Sequence, residues 1–461
     1  MTPFLLLVAA LQSAPAAPPT LRLDYFHTGT AGEERFSLDG MAAEGPWPGN
    51  PRRPIDDTNL GKYLFEVRDR ATNAVLYSRG FASIYGEWET TDEAARGWRT
   101  FHESLRFPMP AGPAQVVLRK RDAAGLFHEA WTVAVDPADP TIDRTGPPKL
   151  RPWAVVENGP PADKVDLLLL GDGYTAAEME KWHADARRLA ELLFSRSPFR
   201  ERRADFNVWA LDTPSDESGI ARPSDGVSRR SALRAQYDAF GSERYVLAFD
   251  NQRLREVASS APYDVVEIVV NDRKYGGGGI FNLYATVSAD NAYTPYVFVH
   301  EFGHHFAGLA DEYYTSDVAY GAATARPEPW EPNATASAAS PKWKDLATAG
   351  TPLPTPWSKD AFEALQKDIQ ARRRKLRAEK RPEAEMEALF REEEEKEKAL
   401  FAKDPHPAAV GAFEGALYEA KGYYRPQQNC IMFTRSPEFC AVCRRAIERV
   451  VDLYSRGLAA R

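Results

Sequence analysis

The chain has 461 residues, 43% of them hydrophobic and 27% charged, with a formal net charge of −8 at pH 7. That length exceeds what one hydrophobic core ordinarily serves and predicts two domains. With no basic surplus to neutralise phosphates, nothing points to nucleic acid as a partner, and 35 prolines argue against an all-helical protein.

Residues 1–19 read as an export signal: a short apolar core from Phe4 to Leu11 is followed by the small residues Ser13, Ala14, Ala16 and Ala17. So short an apolar run cannot span a bilayer, and no other stretch is long enough. An exported protein (periplasmic, cell-surface or secreted) without a membrane span is expected. Residues 20–139 carry short runs of alternating hydrophobicity at 21–26, 62–69, 115–120 and 131–135, separated by Gly- and Pro-rich turns. They predict an antiparallel β-sandwich. His27, His102 and His128 fall here without ligand spacing and read as ordinary surface or core residues. Residues 140–161, rich in proline, read as a linker.

From 162 onward the period changes. Val165 to Leu170 is nearly continuously apolar, which suits a strand buried on both faces. Thr175 and Glu178 fit a capping box opening a helix to about Ser195. Strands are expected at 206–211 and 264–270. Strand, helix, strand in that order predicts a mostly parallel sheet in an α/β domain, and an α+β multidomain chain overall. The turn at Gly171, Asp172 and Gly173 lacks the glycine spacing and the lysine of a phosphate loop. Gly276 to Gly279 offers backbone that can lie close against another chain.

His300, Glu301 and His304 form H-E-x-x-H. On a helix the two imidazoles stand one turn apart on one face, and each can reach a zinc ion at about 2.0–2.1 Å. Glu301, beside the first ligand, can hold a water molecule and take its proton. Gly308 can end the helix in a left-handed conformation. That turn brings Asp311 to the metal as third ligand, with Glu312 as the competing choice. His305 points about 100° away from His304 and reads as a bystander or supporting residue.

Residues 321–356 show no period and read as loop; Asn333 and Thr335 within them match a glycosylation acceptor. Residues 359–403 read as a charged helical pair, basic around 371–377 and acidic around 391–398, with the two blocks expected to pair in a solvated insertion. The only cysteines are Cys430, Cys440 and Cys443. Cys440 and Cys443 look like half a zinc site or a redox pair, but two further ligands are not obvious nearby. An exported chain more often oxidises, so one disulfide is expected, from Cys430 to Cys440 or Cys443. It would pin the segment around Met432 to a final helix from Ala441 to about Ser455.

The run from His300 to Tyr314 resembles the active-site signature of the M64, IgA-peptidase-like zinc metallopeptidases, a metzincin-like group. Glycine and third ligand come one residue later than in the usual metzincin, as in that family. The Gly-Asp-Gly-Tyr-Thr run at 171–175 and the segment from Tyr423 to Met432 are similar to further family segments, so the likeness covers most of the chain. The resemblance implies a β-sandwich followed by a metzincin-like α/β catalytic domain, Zn2+ as cofactor and a protein or peptide substrate. It also implies that Met432 forms a turn beneath the histidines. Tyr423 or Tyr424 then either donates to the reaction's oxyanion or packs the core. By analogy with such enzymes, Ala285 to Ser288 is expected on an exposed sheet edge to which substrate adds as a strand, or else forms a glycine-rich hairpin without a ligand. The expected function is an exported zinc endopeptidase with Glu301 as general base. The alternatives are a zinc amidase acting on cell-wall peptides and a catalytically inactive exported binding protein.

Overall fold

The computed structural model describes residues 17–315 and 326–455. Most of the segment read as an export signal, and the first residues of the 321–356 stretch, lie outside the described residues. Among those described, no helix is long and apolar enough to cross a membrane.

The first half is built from β1 (Pro19–Gly29), β2 (Glu34–Pro46), β3 (Tyr63–Asp69), β4 (Val75–Phe81), a short helix α1 (Ile84–Trp88), β5 (Arg99–Pro108), β6 (Ala114–Arg121) and β7 (Phe127–Val135). The strands form two antiparallel sheets, ordered β2-β1-β5 and β4-β3-β6-β7. Alternate residues of both, including Leu21, Leu23, Phe65, Val67, Phe107, Val116 and Leu118, close on one shared core. β5 alternates as well as its neighbours, but Glu103 occupies an inward position. There the carboxylate takes hydrogen bonds from Tyr25 (2.9 Å) and from His27 Nδ1 (3.1 Å).

The second half follows with β8 (Trp153–Val156), β9 (Val165–Asp172), α2 (Met179–Leu193), β10 (Phe206–Leu211), a two-residue pair β11 (Ala235–Gln236) and β12 (Leu247–Ala248), α3 (Asn251–Ala258), β13 (Val265–Val270), β14 (Gly277–Ile280), β15 (Tyr284–Ser288) and α4 (Thr294–Ala307). Thr175 and Glu178 form the reciprocal capping box at the start of the α2 region. The main sheet runs β14-β15-β13-β9-β10-β8. β10, β9, β13 and β15 are parallel neighbours, while β8 and β14 join antiparallel at the two edges. β9 and β13 are buried along their whole length, as central strands covered on both faces are. β8 falls inside the proline-rich stretch 140–161, so part of that stretch belongs to this sheet.

One expectation is corrected here. Ala285 to Ser288 is not the sheet edge, because β15 is held between β13 and β14. The edge is the glycine run itself, Gly277–Ile280. Without side chains to alternate, that run carries no strand signal in the sequence.

The chain ends with α5 (Lys359–Ala378) and α6 (Glu383–Phe401), the hairpin β16 (Phe413–Ala416) and β17 (Glu419–Arg425), and α7 (Ala441–Tyr454). The expected opposite-charge pairing occurs in part: Arg372 holds Glu392 through two bonds of 2.7 Å. This helical pair is more than a solvated insertion, however. Phe362 and Phe390 are buried, Phe362 packs on Phe433, and Arg435 meets the buried Glu393 at 2.6 Å.

The two halves are joined directly. Ala82 donates its N–H to Phe281 O (2.9 Å), Asn282 reaches Gly80 O (2.9 Å), and the Arg106 guanidinium stacks on Tyr263 at 3.5 Å. Ile84, Tyr85 and Trp88 of α1 belong to the same apolar core as β9, β13 and α4.

Candidate active site

α4 begins with a proline in its first turn and ends at Gly308, whose φ of 58° is the left-handed conformation anticipated there. Gly308 N–H returns to His304 O (3.0 Å) and Leu309 N–H to Gly303 O (3.3 Å), turning the chain back along the helix end. His300 and His304 therefore face Asp311. The Nε2 atoms of the two imidazoles are 3.1 Å apart, and Asp311 Oδ1 lies 3.1 Å from one and 3.2 Å from the other.

The outer nitrogens of both rings are committed. His300 Nδ1 donates to Ile431 O at 2.9 Å and His304 Nδ1 to Leu309 O at 2.5 Å; carbonyls only accept, which fixes the proton on Nδ1. In neutral rings each Nε2 then presents a lone pair, and Asp311 Oδ1 is buried with no hydrogen-bond partner among the described residues. Lone pairs from three residues thus converge on one point. A tetrahedral ion with bonds of about 2.0–2.1 Å spaces its ligands by about 3.3 Å, within a few tenths of the observed triangle. The residues fit a small divalent metal.

Burial disfavours a charged His304, yet the Asp311 and Glu301 carboxylates and the Leu309 carbonyl together outweigh it and raise His304 to about 9. Asp311 is itself held well below the usual range by the imidazoles, against its burial. His305, by contrast, is a structural staple: its Nδ1 donates to Ile280 O (3.1 Å), its Nε2 accepts from Val266 N–H (3.2 Å), and burial pushes it down to about 3.

A carboxylate oxygen of Glu301 lies within 4.8 Å of a ring nitrogen of each histidine. The edge strand makes this possible by lying very close to α4. A Cβ on Gly279 would stand 2.3 Å from Glu301 O, and one on Gly277 would stand 3.2 Å from Glu301 Cγ. Beneath the pair, Met432 is fully buried, and its sulfur sits 3.2 Å from where a Gly303 Cβ would be.

Asp311 and Glu312, consecutive in the chain, point in different directions. Tyr418, at the tip of the β16–β17 hairpin, donates its hydroxyl to Asp311 Oδ2. Glu312 turns away to the cysteines, with Oε1 3.4 Å from Cys443 Sγ and 4.0 Å from Cys440 Sγ. The expected disulfide is absent: all three thiols are free, and Cys430 and Cys443 stand 3.8 Å apart where a bond needs about 2.0 Å. Their sulfurs cluster with one another and with the Glu312 carboxylate, all within 4.8 Å. Asn333, which matches the glycosylation pattern, is fully buried. It bonds Ala310 N–H (2.7 Å), Ala310 O (3.0 Å) and Glu312 Oε1 (2.9 Å), so it braces this loop instead.

Glu301, His304 and Asp311 open on a cavity of about 390 Å³, lined also by Gly277, Gly279, Tyr245, Tyr418 and, from the first half, Lys62 and Glu87. A second cavity of about 670 Å³ shares Glu87, Arg244, Tyr245 and Tyr313 with it and runs on to Arg373, Gln366 and Arg435, so the α5–α6 pair walls one end of a continuous cleft. Burial raises Glu87, with Lys62 and His304 acting against the rise. Tyr423 and Tyr424 do not join this group. Tyr423 donates to Pro327 O (3.1 Å), and Tyr424 pairs its backbone with Thr335. Among the described residues, Tyr245, Tyr313 and Tyr418 line the cavity, and the Tyr296 hydroxyl reaches His300 Nδ1 at 3.3 Å. Tyr313 falls within the run from His300 to Tyr314 and Tyr296 just before it, whereas Tyr245 and Tyr418 lie far from the histidines in sequence, where no local pattern marks them.

Two histidines and a carboxylate converging in a cleft, with a further carboxylate alongside, define a metal-dependent hydrolase type of site. The family model for IgA Peptidase M64 matches residues 154–451, and that for the Peptidase M64 N-terminus matches residues 14–132. The chain belongs to the M64 peptidase family. No curated protein gave a match to the chain.

Proposed function

We propose that the protein is an exported, zinc-dependent endopeptidase of metzincin-like organisation, with His300, His304 and Asp311 as metal ligands and Glu301 as general base. The observation that carries this reading is the convergence of two Nε2 atoms and the orphaned Asp311 Oδ1 within 3.1–3.2 Å. Membership of the M64 peptidase family supports peptide-bond hydrolysis, and the apolar stretch from Phe4 to Leu11 supports export.

Zinc held there would supply Lewis acidity, polarising the scissile carbonyl and lowering the pKa of a water molecule to about 7. The chain's own residues do the rest. Glu301 takes the proton of the attacking water on its carboxylate and returns it to the departing amine. Ile431 O and Leu309 O orient the imidazoles, and Tyr418 steadies Asp311. Gly277 exchanges backbone bonds outward with Arg244 and Val246. Gly279, two residues on, presents its backbone in the same direction beside Glu301, and an extended substrate adds there as a strand.

The test is digestion of a proteome-derived peptide mixture, with murein peptides in parallel, by the wild type and by Glu301→Gln. The proposal expects cleavage of ordinary peptides by the wild type, and a variant that keeps its zinc while losing turnover. Cuts confined to murein peptides would mean an amidase, and zinc without any cleavage a binding protein. Full activity in Glu301→Gln would remove the general base.

A further inference from the structure

We propose a second metal site, separate from the histidine pair: Cys430, Cys440, Cys443 and Glu312 form a closed four-ligand site for a structural zinc ion. Each residue offers one ligand atom, and the four atoms lie within 4.8 Å of one another. All four residues are buried, with exposures of 0% for Cys430, 4% for Cys440, 0% for Cys443 and 0% for Glu312.

The spacing suits the ion. Thiolates bound tetrahedrally at about 2.3 Å stand about 3.8 Å apart, and a carboxylate oxygen stands about 3.5 Å from each sulfur. Cys430 and Cys443 are 3.8 Å apart, and Glu312 Oε1 is 3.4 Å and 4.0 Å from Cys443 and Cys440. Backbone amides support charged sulfur: Cys440 N–H donates to Cys430 Sγ at 3.2 Å and Cys443 N–H to Cys440 Sγ at 3.4 Å, at the positive end of α7.

Glu312 is otherwise hard to explain. It is fully buried, and among the described residues its Oε2 has no hydrogen-bond partner while its Oε1 meets Asn333 and the thiols. The buried Arg425 attracts this carboxylate but gives its hydrogen bonds to the backbone oxygens of Glu414, Gly415 and Gln428. A buried carboxylate oxygen is thus still left unpaired, which is expensive. A disulfide would consume two sulfurs and leave the carboxylate facing one thiol. A divalent cation satisfies all four groups and leaves no open position, which marks a structural rather than a catalytic site.

The arrangement ties together three separated segments. Glu312 follows Asp311, Cys430 precedes the Ile431 carbonyl that orients His300, and Cys440 with Cys443 opens α7. Such an ion would set the floor on which the histidine site rests.

The experiment uses the full chain purified without added metal. Mass-spectrometric metal analysis is expected to find two zinc ions per chain, falling to one in a His300→Ala/His304→Ala variant. Loaded with Co2+, both proteins should show the near-ultraviolet thiolate-to-cobalt charge-transfer band, which a His/His/Asp site cannot produce. Titration in denaturant with chelator should then release three thiols that were unreactive in the native state. A missing thiolate–cobalt band, or a single thiol released without reductant, would overturn the proposal. Loss of no zinc in the histidine variant, with the band intact, would instead overturn the reading of the histidine site.

Discussion

Gly279→Ala is a severe test of how the site is held. The new Cβ would lie 2.3 Å from Glu301 O and 3.0 Å from His304 Cβ. Comfortable non-bonded separations are about 3.5 Å, so the edge strand and α4 must part by about 1 Å. One of the clashing atoms is a backbone oxygen that cannot rotate away. Overpacking of this kind costs about 1–3 kcal/mol, which lowers Tm by about 2–4 °C for each kcal/mol. With Glu301 as the proposed general base, displacing its carboxylate by about 1 Å costs about 100-fold in rate. Thermal melts and kcat/KM on a cleaved peptide measure both effects, with Gly97→Ala, where the added methyl meets nothing within 4 Å, as the neutral control. A Gly279→Ala enzyme with unchanged Tm and unchanged kcat/KM would refute the claim that close approach of this glycine strand positions Glu301 and His304.

Tyr418→Phe removes the hydroxyl that Asp311 Oδ2 accepts. Losing such a supporting bond should weaken zinc binding about 10–100-fold, read by chelator competition with the fold unchanged by circular dichroism. Asn333→Ala should destabilise by about 1–3 kcal/mol, because Ala310 N–H and Glu312 are left without their buried partner; denaturant melts measure this. Around His27, burial opposes the imidazolium, but Glu103 and Glu34 outweigh it and raise its pKa above the ordinary 6.5. Its contribution is therefore complete below 6.5 and is lost as pH rises through the folded-state value. His27→Gln should accordingly lose more stability in melts at about pH 6 than at about pH 9, and an equal loss at both would contradict the pairing.

The parts legible in the sequence were those encoded locally. The H-E-x-x-H spacing, the left-handed Gly308 and the reach of Asp311 sit within one helix and its turn, and the capping box at Thr175 is three residues wide. The nearly continuous apolar runs of β9 and β13 announce central strands buried on both faces. What was not legible depends on distant chain segments or on missing side chains. Gly277 to Gly279 carries no alternation, so the true sheet edge was assigned to its neighbour. Glu312 reads as a rival to Asp311 because only the fold brings Cys430, Cys440 and Cys443 against it. Glu103 disguised β5, since a carboxylate facing a core reads as a break until its partners Tyr25 and His27 are seen. The participation of Lys62 and Glu87 in the cleft follows from the docking of the two halves, which neither half announces by itself.

The central claim is that three side chains converge on one metal. Crystals of the full chain, with anomalous diffraction recorded on either side of the zinc edge, test it most directly. The account predicts a peak bonded to His300 Nε2, His304 Nε2 and Asp311 Oδ1 at about 2.0–2.2 Å, with Glu301 adjacent but unbound. A peak that Asp311 does not reach, or none between the two imidazoles in zinc-replete crystals, would contradict it.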